Sequence, residues 1–429
     1  MIAVSHLLSR LEARTYDDRL RSIYCTGNAS SAKRRIRNVT EGYLHAFDAG
    51  IDAEVGIYSA PGRTEIGGNH TDHQHGCVLA ASVNLDVLAC AAPNSTDTIR
   101  IVSEGYPMEI IDLAGNTPVE AEKNSSSALI RGVAAQIRAL GYPVRGFDAY
   151  MVSNVLGGSG LSSSAAYEVM LGVIMNDLFC GGALTAVQIA QIGQYAENVF
   201  FGKPCGLMDQ TASAVGGAVA IDFRDPANPV IQKIPVDLAA HGCALCIIDS
   251  GADHADLTDE YAAIPVEMKE VAAYFHKDVL REVNAEAFYA AIPQLRRKAG
   301  DRAVLRAIHF FEENSRAQQE AAALEANHFE EFLHLVTKSG QSSFMYLQNV
   351  FCCSTPREQA VSVALAIAGH VLGDAGAYRV HGGGFAGTLQ AFVPLDKLDQ
   401  FQTHMEAVLG AGMCHVLSIR PEGGIPLIV

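Results

Sequence analysis

The stretch Gly157-Gly158-Ser159-Gly160-Leu161-Ser162-Ser163-Ser164-Ala165-Ala166 decides how the chain is read. Ahead of it, Ala149-Tyr150-Met151-Val152 has the character of a short strand. Behind it, apolar residues recur at Ala166, Val169, Met170, Val173, Ile174 and Leu178, the spacing of one helical face. The small-residue loop therefore sits at a helix N-terminus. There glycine lets the backbone approach an anion closely, unpaired N–H groups point outward, and serine hydroxyls can bind phosphate oxygen or a metal. A capped turn between strand and helix has the same composition and binds nothing, so the loop alone leaves both readings open. It is not a Walker A loop, since no Gly-Lys-Ser/Thr follows the glycines, and no GxGxxG with a ribose-binding acid about 20 residues on is evident.

Length and composition bound the rest. A chain of 429 residues exceeds a single core, so two domains of about 200 residues each are expected. The composition, 49% hydrophobic and 18% charged with 39 glycines and no tryptophan, is that of a folded globular protein. With 31 Lys+Arg against 47 Asp+Glu, the formal charge of −16 argues against nonspecific nucleic-acid or anionic-membrane binding. The ten cysteines are scattered, several within apolar runs, which points to reduced core thiols and a cytoplasmic setting. Cys243-Ala244-Leu245-Cys246 has zinc or redox spacing but lies in an apolar run without a partner pair, and reads as a core strand. No apolar span of 18 residues occurs, so membrane insertion is not expected.

Along the chain, residues 1–50 read as a helical N-terminal extension. A first domain is expected over 51–225, with strands at Val78–Ala92, Thr98–Val102 and Ala218–Asp222 and helices near 118–140 and 184–200. The stretch Asp225-Pro226-Ala227-Asn228-Pro229 reads as the domain joint. A second domain over 226–429 then opens on strand Ala244–Asp249, is dominated by helices to about 347, and closes through strand Thr388–Val393.

Four further stretches carry chemistry. The first is Ala60-Pro61-Gly62-Arg63-Thr64-Glu65-Ile66-Gly67-Gly68-Asn69-His70-Thr71-Asp72-His73-Gln74-His75-Gly76, read as a polar turn. Its arginine can neutralise a transferring phosphoryl group, and Asn, His and Asp supply the mixed donors and acceptors that grip sugar hydroxyls. A metal site of His70, Asp72, His73 and His75 competes, without a separated ligand set to complete it. The second, Gly202-Lys203-Pro204-Cys205-Gly206-Leu207-Met208-Asp209-Gln210, follows a helix containing Glu197 and places Asp209 among apolar neighbours. There it can serve as a general base or, more blandly, as a helix N-cap. The third, around Gly382-Gly383-Gly384-Phe385-Ala386-Gly387, is a second glycine turn that could buttress the first. The fourth, Ser250-Gly251-Ala252-Asp253-His254, leads from a strand end to Tyr261.

Together these stretches resemble the GHMP kinases and, within them, the galactokinase family, over residues 55–429. The match runs through Gly62-Arg63 to Gly68, His70-Thr71-Asp72 and Gly76, then Gly158 to Ala166, Cys205 to Gln210, and Gly382 to Phe385. It includes the helical stretch His309-Phe310-Phe311-Glu312-Glu313-Asn314-Ser315-Arg316. The resemblance implies an α+β, two-domain GHMP kinase fold, with an N-terminal domain like ribosomal protein S5 domain 2 and a ferredoxin-like C-terminal domain. It further implies a sugar 1-kinase using ATP and Mg²⁺. Gly158, Ser159, Gly160, Leu161, Ser162, Ser163 and Ser164 would cradle the ATP phosphates, and Ser164 and Glu197 would contact Mg²⁺. Asp209 would be the base or orienting carboxylate, with Arg63 stabilising charge. Asn69, His70, Asp72, Gly206 and Tyr261 would line the sugar pocket. The implied partners are a small sugar and ATP, with neither nucleic acid nor membrane; the oligomeric state stays open, and a monomer is compatible with the chain.

The departures from the family concern the acceptor. The family has Glu before His-Thr-Asp where this chain has Asn69, and that Glu contacts the C6 hydroxyl of the sugar. A neutral amide would tolerate a C6 carboxylate, which makes a galacturonate-type kinase the alternative to a galactokinase. Glu65 and Gly67 stand where Asn and Ile are usual, and His73-Gln74 where Tyr-Asn is usual. Ile264-Pro265-Val266 replaces an arginine pair, and Asp253 stands where a basic residue is common. A sensor that binds sugar and ATP without turnover is the non-enzymatic alternative; intact Arg63, Asp209 and Ser162-Ser163-Ser164 argue against it.

Overall fold

A computed structural model describes residues 1–155, 157, 160–203, 205–251, 258–352, 356–385 and 387–429. The chain opens with a two-residue strand β1 (Ile2–Ala3) and three helices, α1 (Val4–Glu12), α2 (Asp17–Tyr24) and α3 (Ser30–Ala46). Their apolar faces, among them Leu7, Leu20, Ile36 and Val39, close over one face of a sheet at Ile57, Leu88 and Cys90. Since β1 also pairs with β2 through Ile2 and Val55, residues 1–50 are a built-in cover of the sheet.

That sheet is organised by β2 (Glu54–Gly67) and β3 (Cys77–Pro93), a long antiparallel pair joined by residues 68–76. Both strands are buried almost throughout; β3 is accordingly mostly apolar, whereas the end of β2 buries the polar side chains Arg63, Thr64 and Glu65. The chain continues through β4 (Thr98–Ser103), β5 (Glu109–Asp112), α4 (Ser126–Ala139), β6 (Phe147–Ser153), α5 (Ser163–Cys180), α6 (Ala186–Tyr195), α7 (Met208–Val215), β7 (Ala218–Asp222) and β8 (Val230–Ile234). The order is β1-β2-β3-β6-β4-β5, with β7 on β3 and β8 on β7. Two expectations change here. The apolar stripe on α5 is in fact burial on several sides, including Ala165, Val169, Leu171 and Ile174, because the helix runs between the sheet and α4, α6 and α7. The joint expected at 225–229 is the turn of the β7–β8 hairpin, held by Asp225 and Asn228, so the sheet runs on to Ile234.

The remaining chain forms β9 (Cys243–Asp249), α8 (Thr258–Tyr274), α9 (Ala285–Lys298), α10 (Asp301–Glu325), α11 (Phe329–Ser342), α12 (Ala360–Leu372), β10 (Ala377–His381), β11 (Thr388–Pro394), α13 (Leu398–Leu409), β12 (Cys414–Leu417) and β13 (Ile425–Ile428). Strands β10-β11-β9-β12 make a second antiparallel sheet, the strand order of a ferredoxin-like unit, with α12 and α13 packed on it. The last strand, β13, returns to pair with β2 of the first sheet. Among the described residues, no helix is long and apolar enough to cross a membrane.

Candidate active site

A cavity of about 380 Å³ lies where the end of β2, the head of α5, the start of α7 and the turn after β10 converge. Arg63, His70, Asp72, Ser162, Ser164, Glu197, Gly206, Asp209 and Tyr261, drawn from four separated stretches, all line it. Leu161 and Ser163 do not: the Leu161 side chain is buried in the core, and its carbonyl accepts the Arg63 backbone N–H at 3.0 Å. Gly158 and Ser159 of the glycine loop, and Ala252-Asp253-His254 of the fourth stretch, lie outside the described residues.

Arg63 and Asp209 form the centre. Arg63 donates from Nε and Nη2 to the two Asp209 oxygens, each at 2.7 Å, and from Nη1 to the Gly160 carbonyl. The Ser162 hydroxyl donates to Asp209 as well. Ser162 takes a left-handed conformation (φ 58°, ψ 61°), which costs a non-glycine residue energy and turns the first residue before α5 toward Asp209. Asp209 itself sits in the first turn of α7 and not at its N-cap, which is Leu207. Burial pushes the Asp209 carboxyl up, but the Arg63 charge and hydrogen bonds from Arg63 and Ser162 outweigh it and hold the group below the usual aspartate range. The carboxylate is therefore ionised at neutral pH.

Beside this pair, the Gln210 amide donates to Glu197 at 3.0 Å and to Glu168 at 2.9 Å. Burial, then the charge of Glu197, drives the fully buried Glu168 carboxyl well up, whereas Glu197 faces the cavity with Ser164. Ser164 and Glu197 thus offer a hydroxyl and a carboxylate, oxygen donors of the kind Mg²⁺ takes alongside phosphate. Lys203, 65% exposed and 3.9 Å from Glu197, also lines the cavity and brings it a second cation.

Elsewhere on the cavity wall, the Asp72 carboxylate packs against Gly206 so closely that a Cβ there would collide with it. His70, in a left-handed conformation (φ 58°), donates from Nε2 to the Gly383 carbonyl at 3.1 Å, with its ring 5.3 Å from that of Tyr261. Burial and the neighbouring His73 drive the His70 imidazole down to about 3, so it is neutral. The 382–385 turn lines the cavity, and His381 just before it reaches back to the first loop: a Cβ on Gly160 would come within 3.0 Å of the His381 ring.

Asn69 requires a correction. It does not line the cavity; it is fully buried, with its amide spent on protein. Nδ2 donates to Glu65 Oε1 (2.9 Å) and the Gly382 carbonyl (2.7 Å), and Oδ1 accepts from Asn349 (2.9 Å) and Ser343 (3.2 Å). Two donors and two acceptors exhaust an amide. The residue that does reach the cavity is Glu65, whose Oε1 is also held by Arg379 of β10. In the sequence Glu65 stands out only as a departure from the family, and Lys203 carries no expected role. Strand alternation was the missing signal, since Arg63 and Glu65 are two residues apart on β2 and share a face.

The chain is similar to known proteins over most of its length. Residues 128–217 match the family described as GHMP kinases N terminal domain, and residues 43–93 match the galactokinase galactose-binding signature. The galactokinase of Streptomyces coelicolor is 32% identical over 382 residues, covering 87% of this chain and 94% of that protein. Among solved structures, Lactococcus lactis galactokinase complexed with galactose has a TM-score of 0.78 at 23% identity, covering 91% of this chain and all of that one. Methanococcus jannaschii mevalonate kinase has a TM-score of 0.61 at 13% identity, covering 86% and 99%.

Proposed function

The chain belongs to the galactokinase family of the GHMP kinases, and from that premise we propose that its cavity transfers the γ-phosphoryl group of ATP to the anomeric hydroxyl of galactose. The observation that carries the reading is the Arg63–Asp209–Ser162 cluster at the head of α5, lining a cavity that His70, Asp72 and Tyr261 also line.

In this reading the N-terminus of α5 and the serine loop take the ATP phosphates, with backbone N–H groups and hydroxyls pointing at the anion. Ser164 and Glu197 would hold Mg²⁺, which would supply positive charge to the phosphate oxygens. Lys203 adds a mobile positive charge on the same side. Asp209 accepts the hydrogen bond of the attacking hydroxyl and points its oxygen at the γ-phosphorus. As the new O–P bond forms and the bond to ADP breaks, the hydroxyl proton passes to Asp209 and on to water. A carboxylate with a depressed pKa is a weak base, so its first contribution is orientation, in keeping with the loose transition state of phosphoryl transfer. Arg63 keeps Asp209 ionised and faces the charge on the moving group. The site acts on small molecules, in a protein we place in the cytoplasm.

The direct test is the purified protein with Mg·ATP and galactose, followed by coupled ADP release and by phosphorus NMR of the sugar product. Stoichiometric galactose 1-phosphate and ADP are expected. Turnover of other aldoses with none of galactose would overturn the assignment.

A further inference from the structure

Resting on the galactokinase reading, we propose that Glu65, and not Asn69, is the carboxylate that selects the acceptor: one of its oxygens is anchored, and the other receives a hydroxyl of a neutral sugar and turns away a sugar that carries its own carboxylate.

Both halves of the protein aim Glu65. It lies near the end of β2, where the pairing with β3 shifts register between Glu65 and Gly67, a bulge of the kind that re-aims side chains beside active sites. Its Oε1 accepts from Asn69 Nδ2 at 2.9 Å and from Arg379 Nη2. Arg379 is itself fully buried on β10 and donates from Nη1 to the Ile66 carbonyl at 2.6 Å. Anchoring thus falls on a single oxygen. Oε2 has no hydrogen-bond partner among the described residues, while the side chain lines the cavity.

An acceptor that is fixed, largely desolvated and half-satisfied is the arrangement that discriminates a hydroxyl from its replacements. A sugar hydroxyl donates to Oε2 and completes it. A carboxylate there offers no proton and brings a second negative charge to hydrogen-bond distance, in a cavity that Asp72, Glu197 and Asp209 also line. Burial drives the Glu65 carboxyl above the usual glutamate range although Arg379, Arg63 and Asn69 pull it down, so the experiment belongs at about pH 8, which favours the ionised form. The neutral amide at Asn69, which by itself suggests tolerance of uronates, is fully buried and off the cavity wall, and acts on the acceptor only by anchoring Glu65.

The test is calorimetric binding of galactose and of galacturonate at about pH 8 to the wild-type protein and to Glu65→Gln, with turnover measured in parallel. Wild type is expected to bind galactose and to show no heat with galacturonate. Glu65→Gln is expected to lose about ten- to a hundredfold in galactose affinity and to narrow the gap between the two sugars. That gap is a ratio, so it does not depend on the fraction of variant that folds. Equal wild-type affinity for the two sugars, or an unchanged ratio in the variant, overturns the proposal. Discrimination without phosphoryl transfer would sustain Glu65 and overturn the kinase reading; equal turnover of both sugars would do the reverse.

Discussion

Asp209→Asn removes one negative charge at nearly constant size, and the geometry around it sets what should follow. The amide oxygen can still accept one Arg63 N–H, but the amide nitrogen then faces the other donor, so one of the two 2.7 Å charge-assisted bonds is lost. Breaking a buried pair costs about 3–5 kcal/mol, and 29% exposure of the Asp209 side chain lowers that to about 1–3 kcal/mol of stability. The effect on rate is larger. A group that positions and deprotonates the nucleophile contributes about 10²–10⁴-fold, or about 3–5 kcal/mol of barrier. Initial rates of ADP release are therefore expected to fall by that factor, with calorimetric ATP affinity within about threefold of wild type. The pH dependence follows from the sign of the shift. Because the folded carboxyl is held below its unfolded value of about 3.9, the pair's stabilisation is complete above that value and is lost as pH falls through the depressed one. Ionisation of Asp209 should leave kcat/KM flat from about pH 5 upward. Retention of more than about a tenth of wild-type turnover in Asp209→Asn would refute the reasoning. So would an acid limb near about pH 6–7 that disappears in the variant.

Two further outcomes are expected from groups outside that pair. Lys203→Met, at a side chain 65% exposed, should leave the thermal melting curve in place and raise KM for ATP by no more than about fivefold, with KM for galactose unchanged; steady-state kinetics in both substrates reads this directly. Asp86→Ala should cost about 3–5 kcal/mol in urea unfolding at neutral pH. It strands the fully buried Arg420 and the mostly buried Arg35 and takes the acceptor from the Tyr24 hydroxyl. Burial raises the Asp86 carboxyl, but the two arginines outweigh it and hold the group low. Its contribution is thus full at neutral pH, is lost only as pH falls through that depressed value, and an acid-unfolding midpoint unmoved by the substitution would contradict it.

What could be read from sequence follows the range over which each feature is determined. The glycine-serine loop and the helix after it were legible because a strand, a turn and a helix N-terminus are local. The joint at 225–229 misled because Asp, Pro and Asn mark a hairpin turn as readily as a linker, and only the pairing of Ala218 with Ile234 tells them apart. Residues 60–76 were read as one turn, although the first eight lie in β2. That cost the alternation that puts Glu65 beside Arg63. Its position before His70 points Asn69 to the pocket, yet the backbone turns left-handed at His70 and Asn69 ends buried off the cavity wall. No local pattern could supply Arg379, which reaches Glu65 from 314 residues away.

The distribution of buried charge explains why the acceptor was the harder half to read. The lining we assign to phosphate comes almost wholly from the first sheet and its helices: α5, α7 and the helical turn Ala196–Phe201 that holds Glu197. The lining we assign to the sugar is assembled across the seam between the two sheets. There Arg379 of β10 meets Glu65 of β2, and His381 accepts from the Glu65 backbone N–H at 3.2 Å. Asn69 bonds Gly382 and Asn349, and Glu313 of α10, held at about 2 by His309 and Arg316 against its burial, accepts from the Gly68 N–H at 3.1 Å. Buried ion pairs give little net stability, because desolvation consumes most of their attraction. They do fix direction: each of these contacts constrains the end of β2 or the residues just past it. A network with small energetic return and large geometric return, placed where Glu65 lines the cavity with one carboxylate oxygen unpaired among the described residues, fits a demand for discrimination between acceptors more closely than a demand for stability.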